Sequence, residues 1–258
     1  MFEARLVQGK VFKQLIEALK DLVQDVNVDC TEDEMSIQAM DSSHVSLVAA
    51  TLRATGFDLY RCDRPISLGF NSANMAKILK CAGNDDLITL KAEDTAETLT
   101  LMFESPKQDR FADFELKLMD IDSEPLGIPD TDYKCTVRMP SGEFQRIIRD
   151  MQVLGDTCVI ACTKEGIRFS VTGDLGAGSI LLRPNQGEKE EDQVQIDMEE
   201  PVELTFALRY LNFFTKATSL GPSVIISMSP EVPIVIEYPI EETGHIKYYL
   251  APKIDENE

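Results

Sequence analysis

The sequence predicts an α+β protein built from two copies of one domain, each with two helices on antiparallel sheets. Three observations carry that reading. A helical pattern at 12–22, FKQLIEALKDL, returns at 144–154 as FQRIIRDMQVL. A second segment, PISLGFNSANMAKILK at 65–80, aligns with PVELTFALRYLNFFTK at 201–216. The remaining runs are short, rich in β-branched residues and bounded by Gly, Pro, Asp or Asn, with no strand–helix alternation of the βαβ kind.

In chain order, a helix over 10–23 places Phe12, Leu15, Ile16, Leu19 and Leu22 on one face. Met35, Ile37 and Ala39 alternate as in a strand. HVSLVAATL (44–52) extends this sheet pattern, and a second helix over 72–82 carries Met75, Ile78 and Leu79. LITLKAED (87–94), TLTLMFE (98–104) and FELKLM (114–119) complete the first half. The connector LMDIDSEPLGIPDTDYKC (118–135) sets an apolar island, Leu126-Gly127-Ile128, between Pro125 and Pro129. Proline removes amide donors and disfavours helix, so this segment is expected to run extended over the surface. The second half repeats the order. A helix over 141–154 buries Phe144, Ile147, Ile148, Met151 and Leu154; TCVIACT (157–163), IRFSVTG (167–173), SILLRP (179–184) and VQIDM (194–198) read as strands. A fourth helix over 208–218 precedes SVIISMS (223–229), IVIEYP (234–239) and the alternating Ile246, Tyr248 and Leu250. Domains are therefore expected at 1–117 and 136–258, joined by 118–135.

A chain of 258 residues with 43% hydrophobic content has enough material for two cores. No apolar run approaches the roughly 18–20 residues that cross a bilayer. The opening MFEARLVQGK lacks a signal-peptide pattern. Six cysteines without a CxxC pair read as buried thiols of a reducing compartment, not as a disulfide framework. An intracellular protein with no membrane partner is expected.

The net charge of −20 argues, as a total, against nucleic acid. The charges are sorted, however. The four helices hold nine basic residues (Lys10, Lys13, Lys20, Lys77, Lys80, Arg146, Arg149, Arg209 and Lys216) against four acids (Glu17, Asp21, Glu143 and Asp150). Helices gathered on one side of the sheets would form a basic surface on an acidic body, suited to phosphate backbone without sequence readout. Aromatics are not interleaved with the bases, which argues against stacking on single strands. An acidic scaffold holding basic partners stays open as the other reading of the same charge.

Chemistry is harder to assemble. His44 and His245 are the sole histidines, so no metal cluster or His–carboxylate repeat is available. Asp41-Ser42-Ser43-His44 sits outside any GxSxG context. GDLGAGS (173–179) lacks the GK[ST] ending of a phosphate loop and reads as a glycine-rich hairpin turn. EKEED (188–192) reads as a solvated acidic loop. No enzyme, metal or cofactor is expected.

MFEARLVQG, MDSSHVSLV, YRCDR, KILKCAGN, LGIP, MPSGEF, LTFALRYLNFFTKAT and YYLAPKI together resemble the eukaryotic proliferating cell nuclear antigen family of DNA sliding clamps, over nearly the whole chain. The resemblance implies a nuclear, head-to-tail homotrimeric ring whose helices line a hole around double-stranded DNA and which makes polymerases processive. It places Lys13, Lys20, Lys77, Lys80, Arg110, Arg146, Arg149, Arg209 and Lys216 in or beside the channel. Position 14, often basic in relatives, is Gln14 here. It implies subunit contacts through Lys77, Cys81, Arg110, Phe114 and Leu116 of one protomer and Leu175, Gly176, Gly178 and Ile180 of the next, with strand 109–117 pairing strand 175–183. Phe114 stands where relatives often have Tyr. It implies a groove for Q-x-x-aliphatic-x-x-aromatic-aromatic peptides, walled by Met40, His44, Val45, Leu47, Leu126, Ile128, Pro129, Val232, Pro233, Tyr249, Leu250, Ala251, Pro252 and Ile254. DNA polymerases, the clamp loader, flap endonuclease and DNA ligase are the implied partners. Lys164 matches the family's ubiquitin acceptor.

Overall fold

The computed structural model describes residues 1–95, 97–122, 126–187 and 189–254, with only the backbone of Glu190. Pro125 and part of EKEED thus lie outside the described residues. Packing divides the chain into two units, Met1–Ser42 with Val48–Gly127 and Ile240–Ile246, and Ser43–Leu47 with Ile128–Pro239 and the chain from Lys247 onward.

In the first unit the order is β1 (Phe2–Leu6), α1 (Lys10–Leu19), β2 (Asp25–Cys30), β3 (Glu34–Met40), β4 (Ser46–Arg53), β5 (Leu59–Cys62), β6 (Ile66–Asn71), α2 (Ser72–Leu79), β7 (Leu87–Ala92), β8 (Thr98–Glu104) and β9 (Phe111–Lys117). The second unit runs β10 (Cys135–Pro140), α3 (Ser141–Gln152), β11 (Thr157–Thr163), β12 (Gly166–Gly173), β13 (Gly176–Leu182), β14 (Gln195–Met198), β15 (Val202–Ala207), α4 (Leu208–Phe214), β16 (Ser223–Met228), β17 (Ile234–Ile240) and β18 (Gly244–Leu250).

The duplication is visible in topology. The strand order β5-β1-β7-β8-β9 of the first unit has its counterpart in β14-β10-β16-β17-β18, and β4-β3-β2-β6 in β13-β12-β11-β15. The 132-residue offset links β3 at 34 with β12 at 166, and the 136-residue offset links β6 at 66 with β15 at 202. The recorded ladders are antiparallel, as expected from the absence of βαβ units.

The apolar stripes do what their spacing demands. Phe12, Leu15, Ile16 and Leu19 are buried on α1, and Phe144, Ile147, Ile148 and Met151 are buried on α3. The two helices of each unit pack on one another, α1 on α2 and α3 on α4. Asn71 caps α2 by accepting the Asn74 amide at 3.1 Å. The fourth helix is shorter than its apolar pattern predicts. Regular helix stops at Phe214 and a 3-10 turn takes over through Leu220. Two hydroxyls bond backward there, Thr215 Oγ1 to the Asn212 carbonyl at 2.7 Å and Thr218 Oγ1 to the Thr215 carbonyl at 2.6 Å. Such bonds compete with the α-helical pattern.

The cysteine expectation needs correction. Cys135 on β10 and Cys162 on β11 form a disulfide, while Cys30, Cys62, Cys81 and Cys158 are free. The pair joins two strands from different sheets of one unit, residues 27 apart in sequence, a juxtaposition that spacing alone does not reveal.

Candidate nucleic-acid interface

Each helix buries its apolar stripe against the sheets, which turns its polar residues outward. Lys77 and Lys80 of α2, Arg146 and Arg149 of α3, and Arg209 and Lys216 at α4 are exposed, while Lys13 and Lys20 are half-buried. The cations fall into two groups. Some are held by their own unit. Lys13 Nζ donates to the Ala82 carbonyl at 2.7 Å, tying α1 to the turn after α2. Lys20 pairs with Glu17 at 2.5 Å, Arg146 and Arg149 reach Asp150 at 3.8 and 3.6 Å, and Arg110 reaches Asp86 at 3.6 Å. Asp86 is itself buried and also accepts the Gly83 amide at 2.7 Å. The others, Lys77, Lys80 and Lys216, make no ion pair among the described residues, and Arg209 lies 5.7 Å from the centre of the Phe213 ring. The pairs of Arg146 and Arg149 with Asp150 are exposed and cost little to open, so these two remain available to a phosphate.

Among the described residues six strands end the sheets, and β9 and β13 are two of them. β9 ends one sheet of the first unit and β13 ends one sheet of the second. Unpaired strand edges are pairing templates. On β9, Phe111 is 65% exposed and Phe114 is half-buried with its ring 5.4 Å from Phe103; Leu116 is buried. Beside β13, Leu175 is 80% exposed, and Ile180 is half-buried. Gly176 has φ of +139°, a backbone region that favours glycine. Gly178 already has an intrachain reason: a Cβ there would lie 2.6 Å from Leu154 Cδ1. The hairpin expected at GDLGAGS forms, with Gly173 opposite Gly176. Cys81 is exposed in the turn after α2.

Family models for the proliferating cell nuclear antigen N-terminal domain and C-terminal domain match residues 1–125 and 127–253. The chain belongs to the proliferating cell nuclear antigen family. Membership accounts for the twofold repeat of helix and sheet, since one domain model covers each half.

The side chains expected to wall a peptide groove belong some to one unit and some to the other. Met40 and Leu126 belong to the first, and both are exposed. His44, Val45, Leu47, Ile128, Pro129, Val232, Pro233, Tyr249, Leu250, Ala251, Pro252 and Ile254 belong to the second. His44 holds a left-handed φ of +57° and is exposed, as are Val45, Pro233, Ala251 and Ile254. Leu47, Ile128, Val232, Tyr249 and Pro252 are half-buried, whereas Leu250 is buried and contributes packing only. The Ala251 amide donates to the Val45 carbonyl at 3.3 Å, and the Lys253 amide to the Thr205 carbonyl at 2.8 Å, so the chain after β18 is tied down. Burial raises the Tyr249 hydroxyl above its ordinary range. Lys164 is exposed in the β11–β12 turn. Among the described residues no group of three or more His, Cys, Asp or Glu is placed to hold a metal ion.

Sequence reasoning missed the residues that hold the connector. Gln38, Asn27 and Gly69 bond to it, and none carries a motif. Alternation alone could have shown that Gln38, between buried Ile37 and half-buried Ala39, faces outward.

Proposed function

We propose that this chain closes as a homotrimer around double-stranded DNA in the nucleus and serves as a sliding clamp and processivity factor. The observation that carries the reading is the sorting of charge onto repeated helices in a chain of net charge −20. Nine cations, Lys13, Lys20, Lys77, Lys80, Arg110, Arg146, Arg149, Arg209 and Lys216, form the duplex-facing set. A wall of long, mobile, positively charged side chains attracts any phosphate backbone and prefers none, which permits sliding. The acidic remainder repels DNA from the outside.

Closure uses the open edges: β9 of one protomer pairs with β13 of the next, a heterologous contact that consumes both edges when three copies complete a circle. Phe114, Leu175 and Ile180 supply apolar area to it, buried Leu116 backs it, and Lys77, Cys81 and Arg110 flank it. Partner proteins, including DNA polymerases, the clamp loader, flap endonuclease and DNA ligase, dock short peptides on the connector and the chain around Tyr249–Ile254, where exposed apolar side chains anchor aromatic residues. Lys164, exposed on its turn, is the proposed ubiquitin acceptor.

The experiment is topological. Loaded onto a nicked circular duplex, the protein stays bound at salt that abolishes phosphate contacts and leaves when the circle is cut. Equal retention on circular and linear DNA refutes encirclement and favours the acidic-scaffold reading.

A further inference from the structure

We propose that Gln38, Asn27 and Gly69 form a three-strand cradle for the connector, and that Gln38 is the positioning residue holding Leu126 where a partner peptide meets it. The proposal rests on the peptide-groove reading above.

Described residues of the connector meet three adjacent strands, β6, β2 and β3, with one anchor on each. At β6 the Met119 amide donates to the Gly69 carbonyl at 2.9 Å. Gly69 has no room for a side chain: a Cβ would lie 2.2 Å from the Met119 carbonyl oxygen. On β2 the Asn27 Nδ2 donates to the Ile121 carbonyl at 2.8 Å. On β3 the Gln38 Oε1 accepts the Leu126 amide at 2.9 Å. Asn27 and Gly69 are cross-strand partners, and Gln38 follows Ile37, whose partner Val28 adjoins Asn27. The anchors therefore form a line across the sheet.

At its start the Leu118 amide also donates to the Glu97 carbonyl at 2.8 Å. A cleft of about 660 Å³ lies against its root, lined in part by Lys117, Leu118, Met119 and Asp120. Leu126 is 41% exposed and Met119 is 44% exposed, so their side chains are not sunk in a core. Hydrogen bonds of its backbone to the Gly69 and Glu97 carbonyls and to the Asn27 and Gln38 side chains hold its described residues instead. Glutamine suits the last anchor because its amide oxygen accepts without carrying charge and its stem reaches off the strand.

The test compares Gln38→Ala with Gln38→Glu, whose carboxylate keeps the acceptor. Amide hydrogen exchange at Leu126 and calorimetric titration with a synthetic Q-x-x-aliphatic-x-x-aromatic-aromatic peptide are the readouts. For Gln38→Ala we expect Leu126 exchange about five- to tenfold faster and peptide binding about fivefold weaker, with melting temperature unchanged. Gln38→Glu restores both. Gly69→Ala, which displaces Met119, weakens the peptide with Gln38 intact. Unchanged Leu126 exchange in Gln38→Ala overturns the anchor, and faster exchange with unchanged peptide affinity overturns the positioning role. If the unaltered protein does not bind the peptide, the groove reading fails by itself, and exchange at Leu126 still decides whether Gln38 anchors the connector.

Discussion

Reversing charge at Lys77 and Lys216 tests the proposed channel, Lys216 doing so apart from the subunit contact that Lys77 also flanks. Both side chains are exposed, and neither makes an ion pair among the described residues, so Lys→Glu breaks no recorded contact. Each phosphate neutralised contributes about 0.9 to the slope of log K against log salt. In a closed trimer one substitution removes three cations, so the slope falls by at most about 2.7 per position. Since not every cation touches phosphate at once, about 1–2 is the working expectation for either single variant. Binding of a short duplex by fluorescence anisotropy over a salt series reads the slope, and sedimentation checks that the ring persists. Lys189→Glu, in the acidic loop and paired with Glu191 at 3.5 Å, is the control with no expected effect on the slope. If the control and the helix variants lower the slope equally, the cations do not face the duplex and the reasoning is refuted.

Four further outcomes follow from the same picture. Leu126→Ala with Ile128→Ala weakens partner-peptide binding while leaving the sedimentation of the ring unchanged; equal affinity counts against the groove. Ile16→Ala and Ile148→Ala, which remove equivalent and fully buried side chains in the two units, each cost about 2–5 kcal/mol by denaturant titration, and a cost below about 1 kcal/mol in either contradicts the shared core. Under denaturing, non-reducing conditions the chain titrates four thiols, and two more after reduction; in the native ring Cys81 is shielded from maleimide by the neighbouring subunit, whereas the isolated protomer reacts there. Alkaline pH destabilises the fold. Burial pushes the Cys158 thiol from 9.0 up to about 11, so above pH 9 the unfolded chain releases that proton first and stability declines until the folded thiol ionises near 11. Buried Tyr238 and Tyr248, both raised by desolvation, act in the same direction above pH 10. A urea midpoint that stays level from pH 8 to 11 would contradict this.

The parts legible in the sequence are those where periodicity and burial coincide. The α1 and α3 stripes are legible because Phe12, Ile16, Phe144 and Ile148 must all point one way. β8 and β11 are bounded as their runs predict. Six strands went unread: β1, β2, β5 and β10, and β6 and β15, which entered only as the aligned lead-ins to two helices. In β1 and β2 the outward positions carry charge or amide, Glu3 and Arg5 in one and Asp25, Asn27 and Asp29 in the other, so FEARL and DVNVDC read as loops until their buried alternates are seen. β5 is only four residues long, and β10 mixes Arg138 and Pro140 with its buried Cys135, Val137 and Met139. The helix cations were countable in the sequence, whereas the bonds that hold the connector were not legible there. The pairing of Gln38 with the Leu126 amide joins residues 88 apart, and that of Cys135 with Cys162 joins two sheets. Only the folded topology brings either pair together.

The central claim is topological, and one measurement addresses it most directly: the half-life of the protein on a nicked circular duplex, at salt high enough to erase phosphate contacts, before and after a single cut in the circle. A clamp persists on the circle and is lost within the time needed to slide off a freed end. Loss from both at one rate, or persistence on both, would contradict a ring that holds DNA by enclosing it.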